Sequence, residues 1–240
     1  MSHEIYSVLS GALGVWQQTE VTANNLANIS TTAYREQRTT YEQVDRDPRP
    51  LGNSFSRMVP GFVNQIDGPI INDNVETHVA LRGPGFLVVE TRDGEALLTR
   101  NGNLRIDEDR FLVTQDGERV LGHTGAIRLP LGEKIEIDAD GNVTTRLDNG
   151  FDVVVRQVDQ LRLMYSDDLI PRGGGRYQPG GAVTEASACR VTQGATEGSN
   201  VDPMREMVEL IQTARYFDIY QKAIQTSDAL DQTIYALPRG

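Results

Sequence analysis

The side chains that most often carry out catalysis or hold metal ions are few in this sequence and far apart. The chain has one cysteine, Cys189, and three histidines, His3, His78 and His123, and their spacing does not match a structural zinc site. Cys189 could meet a histidine only through folding, so we expect a buried structural thiol. The abundant carboxylates leave a hydrolytic pair open, because such pairs are defined by separation in space.

Two short motifs imitate ligand-binding loops. Residues 83–85, Gly-Pro-Gly, lack the third glycine, the lysine and the following helix that a phosphate-binding loop requires. Residues 138–142 begin like a calcium loop, but glycine is the fourth residue of the run and Asn149 stands where a bidentate glutamate is needed. A hairpin turn explains residues 138–142 better. We predict no catalytic residue, no metal site and no cofactor.

Size and charge exclude further classes of protein. The chain has 240 residues and 26.5 kDa, enough to bury a sizeable core without disulfides or metals. Lysine and arginine number 23 against 34 aspartate and glutamate, so the net charge is −11 and the pI is near 4.8. Such a chain would repel a phosphate backbone. Nucleic acid is therefore not an expected partner.

An uncharged apolar stretch near the start, residues 5–16, could be mistaken for a secretory signal. The residues just before it, His3 and Glu4, are neither lysine nor arginine, so the positively charged flank of a signal peptide is missing. The stretch is also too short to span a bilayer as a helix. If the protein leaves the cytosol, we expect it to use another route.

Helical periodicity marks both ends of the chain. Two stripes of seven-residue steps predict a helix over about residues 3–29: Ile5, Ala12, Thr19 and Leu26, with Leu9, Trp16 and Ala23 beside them. Asp202 followed by Pro203 is typical of an N-cap and first helical residue, and Pro238 marks the latest end of this second helix. Helices of this length usually need a partner, so we expect the two to pair.

The middle of the chain has a different pattern. Six dipeptides typical of hairpin turns punctuate it: Asp67-Gly68, Asp93-Gly94, Asn101-Gly102, Asp116-Gly117, Asp140-Gly141 and Asn149-Gly150. Short β-rich runs alternate with these turns, among them residues 86–90, 96–100, 104–106 and 110–114, which favours one antiparallel all-β domain over residues 66–196. Residues 45–60 and 171–181 are rich in proline or glycine, and we expect them to be connectors without a regular interior element.

Asparagines cluster at the predicted end of the first helix, where Asn24, Asn25 and Asn28 stand among poor helix formers. One interpretation is a fraying helix end whose amides cap stray carbonyls. The other is an amide cluster that fixes the register of packed helices. The residues alone do not decide between them.

Several strings in this sequence resemble one known family. Residues 23–31, Ala-Asn-Asn-Leu-Ala-Asn-Ile-Ser-Thr, followed by Tyr34-Arg35, resemble the signature that ends the N-terminal helix in the flagellar basal-body rod and hook proteins. Residues 197–202 are similar to the family's C-terminal block, and residues 81–86 to the opening of its β domain. Ala33 stands where the family often has glycine, so the turn after the helix is expected to differ slightly.

The resemblance implies a fold and a function. It implies a mixed α and β fold, in which long N- and C-terminal helices pair as a coiled coil and an all-β central domain is inserted between them. The expected divisions are residues 1–35 for the N-terminal helix and signature turn, 36–65 for a connector, 66–196 for the central β domain and 197–240 for the C-terminal helix. The implied function is structural and not enzymatic: polymerisation into the hollow rod that transmits torque.

The implied partners are copies of the chain, other proximal- and distal-rod proteins, the flagellar type III export apparatus and the rings around the rod. No small-molecule substrate is implied, and the implied location is the basal-body rod crossing the periplasm. Residues 3–6 and the short connector between Arg35 and Val79 look more like the proximal-rod member than the distal-rod member. A distal-rod subunit remains an alternative, as do a periplasmic β-domain binding module and a hydrolase.

The resemblance and the helical stripes together predict a subunit interface. Its residues are Leu9, Trp16, Ala23, Asn24, Asn25, Leu26, Asn28, Tyr34, Arg35, Met207, Ile211, Ala214, Phe217 and Ile224.

Overall fold

The computed structural model describes residues 2–45, 54–59, 61–131, 133–148 and 153–236. Two helices lie in these ranges, α1 Ser2–Ala27 and α2 Pro203–Ala236. The strands are β1 Thr40–Asp45, β2 Ser54–Val59, β3 Ile70–Asn72, β4 Val79–Arg82, β5 Phe86–Glu90, β6 Ala96–Thr99, β7 Leu104–Ile106, β8 Leu112–Thr114, β9 Arg119–Val120, β10 Lys134–Ile137, β11 Asn142–Asp148, β12 Val153–Gln160, β13 Leu163–Tyr165, β14 Leu169–Gly173, β15 Arg176–Pro179, β16 Thr184–Glu185, β17 Arg190–Gln193 and β18 Ala195–Glu197.

These residues divide into two compact units. The helical unit takes the described parts of Met1–Ala27, Gln37–Phe62 and Asp202–Gly240, and the β unit takes those of Asn28–Glu36 and Val63–Val201. The chain therefore passes between the units four times, after residues 27, 36, 62 and 201. Each unit must hold in place the residues beside these four crossings that belong to it.

Antiparallel strands build the β unit. Its largest sheet has nine strands, seven of them in the order β14-β15-β6-β5-β9-β8-β7, while β13 pairs with β5 and β16 with β13. A three-stranded sheet has the order β10-β11-β12, and β17 pairs with β4 and β18 with β3. Two apolar clusters fill the unit, one around Leu81, Leu87 and Leu112 and one around Phe86 and Tyr177. The predicted all-β central domain is present.

Three of the six predicted turns join neighbouring, paired strands, at residues 93–94, 116–117 and 140–141. Their glycines have φ angles of 80°, 82° and 83°, which side chains other than glycine rarely adopt. Two predictions of a hairpin are wrong: residues 101–102 connect β6 to β7, which are not neighbours in the sheet, and residues 67–68 precede β3. The dipeptide motif reports a tight turn, and the pairing of the flanking strands depends on the rest of the sheet.

Both predicted connectors contain strands, so that prediction is wrong. In the helical unit β1 and β2 form an antiparallel hairpin from Thr40↔Val59 to Asp45↔Ser54. In the β unit β14 and β15 form another, whose tip is the glycine run 173–175 with φ angles of 83°, 62° and 71°. Three left-handed residues in a row make a tight tip, not a linker. Residues 46–53 and the sixth predicted turn, residues 149–150, lie outside the described residues.

The predicted fold class, with terminal helices paired as a coiled coil, is wrong. Two helices accompany eighteen strands in the described ranges, so the chain is mostly β-sheet. A coiled coil buries an apolar seam, but Leu9, Trp16, Met207 and Ile211 of the predicted seam are 41–55% exposed. The described side chains that α1 and α2 do bury are small or polar: Ala12, Thr22, Asn25, Glu206 and Thr213.

Polar and close-packed contacts join α1 and α2 instead. Gln18 Nε2 donates a hydrogen bond to Glu209 Oε1 at 2.7 Å. A Cβ on Gly11 would lie 2.7 Å from the Tyr220 ring, so the absence of a side chain lets the two helices approach there. Asp202 caps α2, because its Oδ1 accepts the backbone N–H of Met204 at 3.0 Å. Neither helix, over its described residues, is long and apolar enough to cross a membrane.

Candidate assembly site and chain junctions

Three chain segments meet in the β unit, and we call their meeting point the β-side junction: residues 33–36, 64–67 and 197–200. Backbone hydrogen bonds join the first segment to the third, since Ala33 N–H donates to Glu197 O at 2.7 Å and Asn200 N–H donates to Tyr34 O at 3.2 Å. Each segment lies next to one of the crossings between the units. The β-side junction therefore holds in place the parts of the crossing segments that belong to the β unit.

Asn200 connects all three segments with one side chain. Its Oδ1 accepts the backbone N–H of Glu36 at 2.7 Å. Its Nδ2 donates to the carbonyl oxygens of Asn64 at 3.0 Å and Ile66 at 2.8 Å. A carboxamide is both donor and acceptor, so an aspartate or an aliphatic residue could not make this set of bonds.

Four charged side chains form an ion-pair quartet in the β-side junction. Arg35 contacts Glu197 at 2.8 Å and Asp67 at 3.2 Å, and Arg100 contacts Glu197 at 2.9 Å and Asp67 at 2.6 Å. Arg35, Arg100 and Glu197 are at most 2% exposed, while Asp67 is 36% exposed. Two positive and two negative charges balance, which a buried group of this kind requires.

The quartet shifts the acid–base properties of its members. Burial alone would raise the pKa of Asp67, but the N–H of Gly83 and the charges of Arg100 and Arg35 outweigh it, so the pKa lies below its ordinary value. Burial lowers the pKa of Arg35 despite the opposing charge of Glu197. The lowered pKa keeps the Asp67 carboxylate charged at neutral pH, where it can pair with Arg35 and Arg100.

A second polar cluster, the helix-side junction, lies in the helical unit. Asn25 Nδ2 donates to Gln37 O at 2.9 Å and to Glu206 Oε2 at 3.1 Å, while Asn25 Oδ1 accepts Gln37 N–H at 3.0 Å. Asn25 and Glu206 are each 2% exposed. Gln37 directly follows the crossing after residue 36, and Glu206 lies on the first turn of α2, shortly after the crossing that follows residue 201. Asn25 therefore links α1 both to Gln37 and to α2, while the interpretation of all three asparagines as a cluster that fixes the register of packed helices stays a prediction.

The helical unit also exposes a large amount of apolar surface, which we call the helical apolar surface. Its residues are Leu9, Leu13 and Trp16 on α1, and Met204, Met207, Val208, Ile211, Tyr216 and Ile219 on α2. All are between 41% and 68% exposed. So many exposed large apolar side chains on two helices are candidates for contacts with other proteins.

The structure distributes the predicted interface residues over three environments. Exposed residues are Leu9, Trp16, Ala23, Asn24, Met207, Ile211 and Ala214, and half-buried residues are Leu26, Asn28, Phe217 and Ile224. Asn25, Tyr34 and Arg35 are buried within the subunit. The exposed residues are available to a neighbouring molecule, whereas the buried three hold the junctions or their surroundings together.

Several residues of these sites were not predicted from the sequence. Leu13 stands four residues after Leu9 and three before Trp16, and this helical spacing was a signal that could have found it. Glu197 and Asn200 lie in the C-terminal block that carried the family resemblance, but no role was inferred for them. Asp67 was interpreted only as a turn residue, and Arg100 only as the last residue of a β-rich run. No local pattern indicates that residues this far apart in sequence share one ion-pair quartet.

Ala33 occupies an unusual conformation in the turn after α1. Its φ angle is 56° and it is 1% exposed. A left-handed conformation costs a residue with a side chain about 1–2 kcal/mol, whereas glycine adopts it readily. The turn at this position therefore has the left-handed conformation typical of glycine, although the residue is alanine.

Neither a metal centre nor a reactive thiol stands out in the described part of the chain. Groups of three or more His, Cys, Asp or Glu side chains placed to hold a metal ion are absent there. Cys189 is buried, and burial raises the pKa of its thiol, which makes it less nucleophilic at neutral pH.

Comparison with known proteins points to one family. The chain matches the family model of the flagellar basal body rod FlgEFG protein C-terminal over residues 192–237, and that of the flagellar hook protein FlgE/F/G D1 domain over residues 80–145. The flagellar basal-body rod protein FlgF of Salmonella typhimurium is 31% identical, and that of Escherichia coli 32%, over 95% of each chain. FlgG of Borreliella burgdorferi is 28% identical over 95% of this chain and 96% of that protein. The two matched regions contain Arg100, Glu197, Asn200 and Glu206.

Proposed function

Because this chain belongs to the flagellar basal-body rod protein family that contains FlgF and FlgG, we propose that it is a subunit of the proximal rod. The family is structural and not enzymatic, so the chain is a structural subunit of the basal-body rod and assembles with other rod or hook proteins. The proximal position is supported by the identity to two FlgF proteins and by the short connector between Arg35 and Val79.

The helical apolar surface is the observation that supports polymerisation most directly. Leu13, Trp16 and Ile211 are more than half exposed, and burying a large apolar side chain stabilises an assembly by about 1.5–3 kcal/mol. A monomer leaves this contribution unused, whereas a polymer can bury the same residues against its neighbours. We therefore place the main subunit contacts on α1 and α2.

The proposed interface comprises the predicted residues that the subunit leaves accessible. The exposed group contributes Leu9, Trp16, Ala23, Asn24, Met207, Ile211 and Ala214, and the half-buried group contributes Leu26, Asn28, Phe217 and Ile224. Asn25, Tyr34 and Arg35 act indirectly in this proposal, because they hold the segments that lead into and out of the helices.

The family resemblance supports a further set of proposed partners. These are copies of the chain, other proximal- and distal-rod proteins, the flagellar type III export apparatus, and the rings that surround the rod. We also propose that the chain crosses the inner membrane through that apparatus without a cleaved signal peptide and takes up its position in the periplasm. Intact-mass measurement of exported chain tests the last point, since cleavage would remove N-terminal residues.

Position in the isolated basal body tests the proximal assignment. An epitope inserted at the exposed hairpin tip, residues 173–175, should leave the paired strands β14 and β15 intact. Electron microscopy of antibody-labelled basal bodies should then show the label next to the inner-membrane ring. Label next to the hook would identify a distal-rod subunit instead. Basal bodies that contain no tagged chain, in cells that express and export it, would contradict a rod function altogether.

A further inference from the structure

A group of arginines lies at one end of the nine-stranded sheet, and we call it the arginine patch: Arg92, Arg105, Arg119 and Arg128. Arg105 on β7 and Arg119 on β9 flank Val113 in one cross-strand row. The guanidinium groups of Arg92 and Arg105 come within 3.6 and 4.0 Å of the point where a Cβ on Gly117 would stand. All four arginines are exposed.

Two of these side chains are held in place by the Phe111 ring. The guanidinium carbon of Arg119 lies 4.4 Å from the ring centroid, and that of Arg128 lies 5.7 Å from it. Arg128 Nε also donates to the backbone oxygen of Asp109 at 3.2 Å. Stacking on an aromatic ring fixes a guanidinium group without neutralising its charge. These two cations are therefore preorganised for an additional ligand.

The arginine patch lacks carboxylate partners in the described part of the chain. Glu90 is the cross-strand neighbour of Arg119 and Asp116 begins the turn at Gly117, yet neither lies within 4.0 Å of a patch guanidinium group. Glu118 is close in sequence, but it pairs with Arg176 at 2.6 Å. The chain carries eleven more acidic than basic residues, yet these clustered arginines have no carboxylate partner. Binding of an external acidic ligand explains such a cluster better than a role in stabilising the subunit.

The other edge strand of the same sheet, β14, has the opposite charge beside it. Asp167 and Asp168 directly precede β14 and are both exposed. Asp167 Oδ1 accepts a hydrogen bond from Tyr165 at 2.5 Å, and neither carboxylate has a lysine or arginine within 4.0 Å among the described residues. Arg172 on β14 is engaged with Gln178 at 2.8 Å.

From this complementarity we infer that the arginine patch binds the carboxylates of Asp167 and Asp168 on a second copy of this chain. The contact is heterologous, because two different surfaces meet, and such contacts repeat along a polymer. It adds a charge-based contact between β units to the apolar contact between helices. The inference rests on the proposed function as a polymer subunit.

A charge exchange between copies tests the contact. One variant, Arg92→Glu with Arg105→Glu, neutralises the arginine patch, because the two glutamates offset the two arginines that remain at Phe111. A second variant, Asp167→Lys with Asp168→Lys, reverses the acidic edge. Exposed arginines elsewhere on the β unit give a matched control, Arg82→Glu with Arg162→Glu. Circular dichroism and thermal unfolding establish that each purified chain is folded before self-association is measured by sedimentation velocity.

At about 0.01 M ionic strength, where charges act over about 30 Å, wild type and control should self-associate. Each variant alone should associate about tenfold more weakly, because it lacks one of the two surfaces. An equimolar mixture should recover association, because the intact arginine patch of one variant then meets the intact acidic edge of the other. About 1 M salt should weaken the wild-type association. A mixture no stronger than its components, or a wild type that stays monomeric at low salt, would overturn the contact.

Vesicles containing phosphatidylserine provide the competing outcome. If they bind the wild type and the Asp167→Lys, Asp168→Lys variant but not the patch variant, while the mixture fails to associate, the arginine patch recognises an anionic lipid surface and the inference is wrong. The proposed function fails differently, through absence of the tagged chain from basal bodies. If the chain is present in the rod but the mixture of variants does not associate, only this contact is rejected.

Discussion

Single side chains at the two junctions perform tasks that their chemistry makes hard to replace. The carboxamide of Asn200 donates to two carbonyl oxygens and accepts one backbone N–H. Asn25 exchanges two bonds with the backbone of Gln37 and adds one to Glu206. In both cases one asparagine satisfies backbone groups that would otherwise be left unpaired on folding. Substitutions that keep the shape but change the donors test this role.

We expect Asn200→Asp to destabilise the β unit. The substitution keeps the acceptor for Glu36 N–H, but it places a charged oxygen against the carbonyl oxygens of Asn64 and Ile66. An unsatisfied buried polar group costs about 1–3 kcal/mol, and a charged one costs more. Urea unfolding of the full chain, followed by a β-sheet signal, measures the change.

Asn103→Asp is the matched control for this test. Asn103 Oδ1 accepts a hydrogen bond from Gln115 at the surface, and an aspartate accepts it equally well, so we expect a change below about 0.5 kcal/mol. Equal unfolding midpoints for the two variants would contradict the role assigned to Asn200.

Lowering the pH should weaken the ion-pair quartet, because Asp67 becomes protonated. Its folded pKa lies below the ordinary value, so the stabilisation from its charged form is present above the unfolded pKa of about 3.9 and is lost as the pH falls through the folded pKa. We expect Asp67→Asn to be less stable than wild type at neutral pH and to lose less stability on acidification. Urea midpoints between about pH 7 and about pH 3 measure both effects.

The exposed substitution Asp109→Asn serves as the control for acidification. It should follow the wild-type pH dependence, because Asp109 lies outside the quartet. If Asp67→Asn and Asp109→Asn lose stability in parallel with wild type, the acid sensitivity does not arise from the quartet.

Individual elements show where sequence patterns were informative and where they were not. Strands β5 and β7 begin and end at the predicted residues, Phe86–Glu90 and Leu104–Ile106, because short apolar runs and flanking turn residues are local properties. The glycine run at residues 173–175 was taken for a linker, since composition alone does not distinguish a linker from a hairpin tip. Arg35 was assigned to a subunit interface, although Asp67, Arg100 and Glu197 bury it.

The helices illustrate a different limit. A seven-residue repeat of apolar residues predicts that a helix has an apolar stripe, but not what covers the stripe. In this subunit α1 and α2 meet through small and polar residues, and the stripe faces solvent at Leu9, Trp16 and Ile211. The partner that would cover it lies outside the chain, and no pattern within one chain specifies that partner.

Charges placed on the helical apolar surface should block assembly without unfolding the subunit. Trp16 is 53% and Ile211 55% exposed, so Trp16→Asp and Ile211→Asp should leave circular dichroism and thermal unfolding of the purified chain close to wild type. In cells, the exported variants should be absent from isolated basal bodies, because burying an unpaired carboxylate in a contact is costly.

Substitutions of neighbouring polar residues control for charge alone. Gln17 and Gln212 are exposed beside the same positions, and Gln17→Asp and Gln212→Asp should be incorporated. Incorporation of Trp16→Asp and Ile211→Asp at wild-type levels would exclude these residues from the subunit interface.

At the scale of the whole molecule, apolar burial is uneven. Both apolar clusters lie entirely in the β unit. Among the described side chains of the helical unit, Ala12 is the only buried apolar one. Since apolar burial is the main favourable contribution to folding, the β unit should be stable alone, whereas α1 and α2 should depend on neighbours for much of their stability.

Hydrogen exchange should therefore divide the monomer in two. In purified chain shown to be monomeric by its mass in solution, amides of α1 and α2 should exchange much faster than those of β5, β6 and β8, because helices with little apolar burial open locally at a low cost in free energy. In assembled rods the same helical amides should become protected, while those of the β unit change little. Slow exchange of α1 and α2 in the monomer would mean that the subunit stabilises its helices without neighbours, and the polymer would then need to be held together by surfaces other than the helical apolar surface.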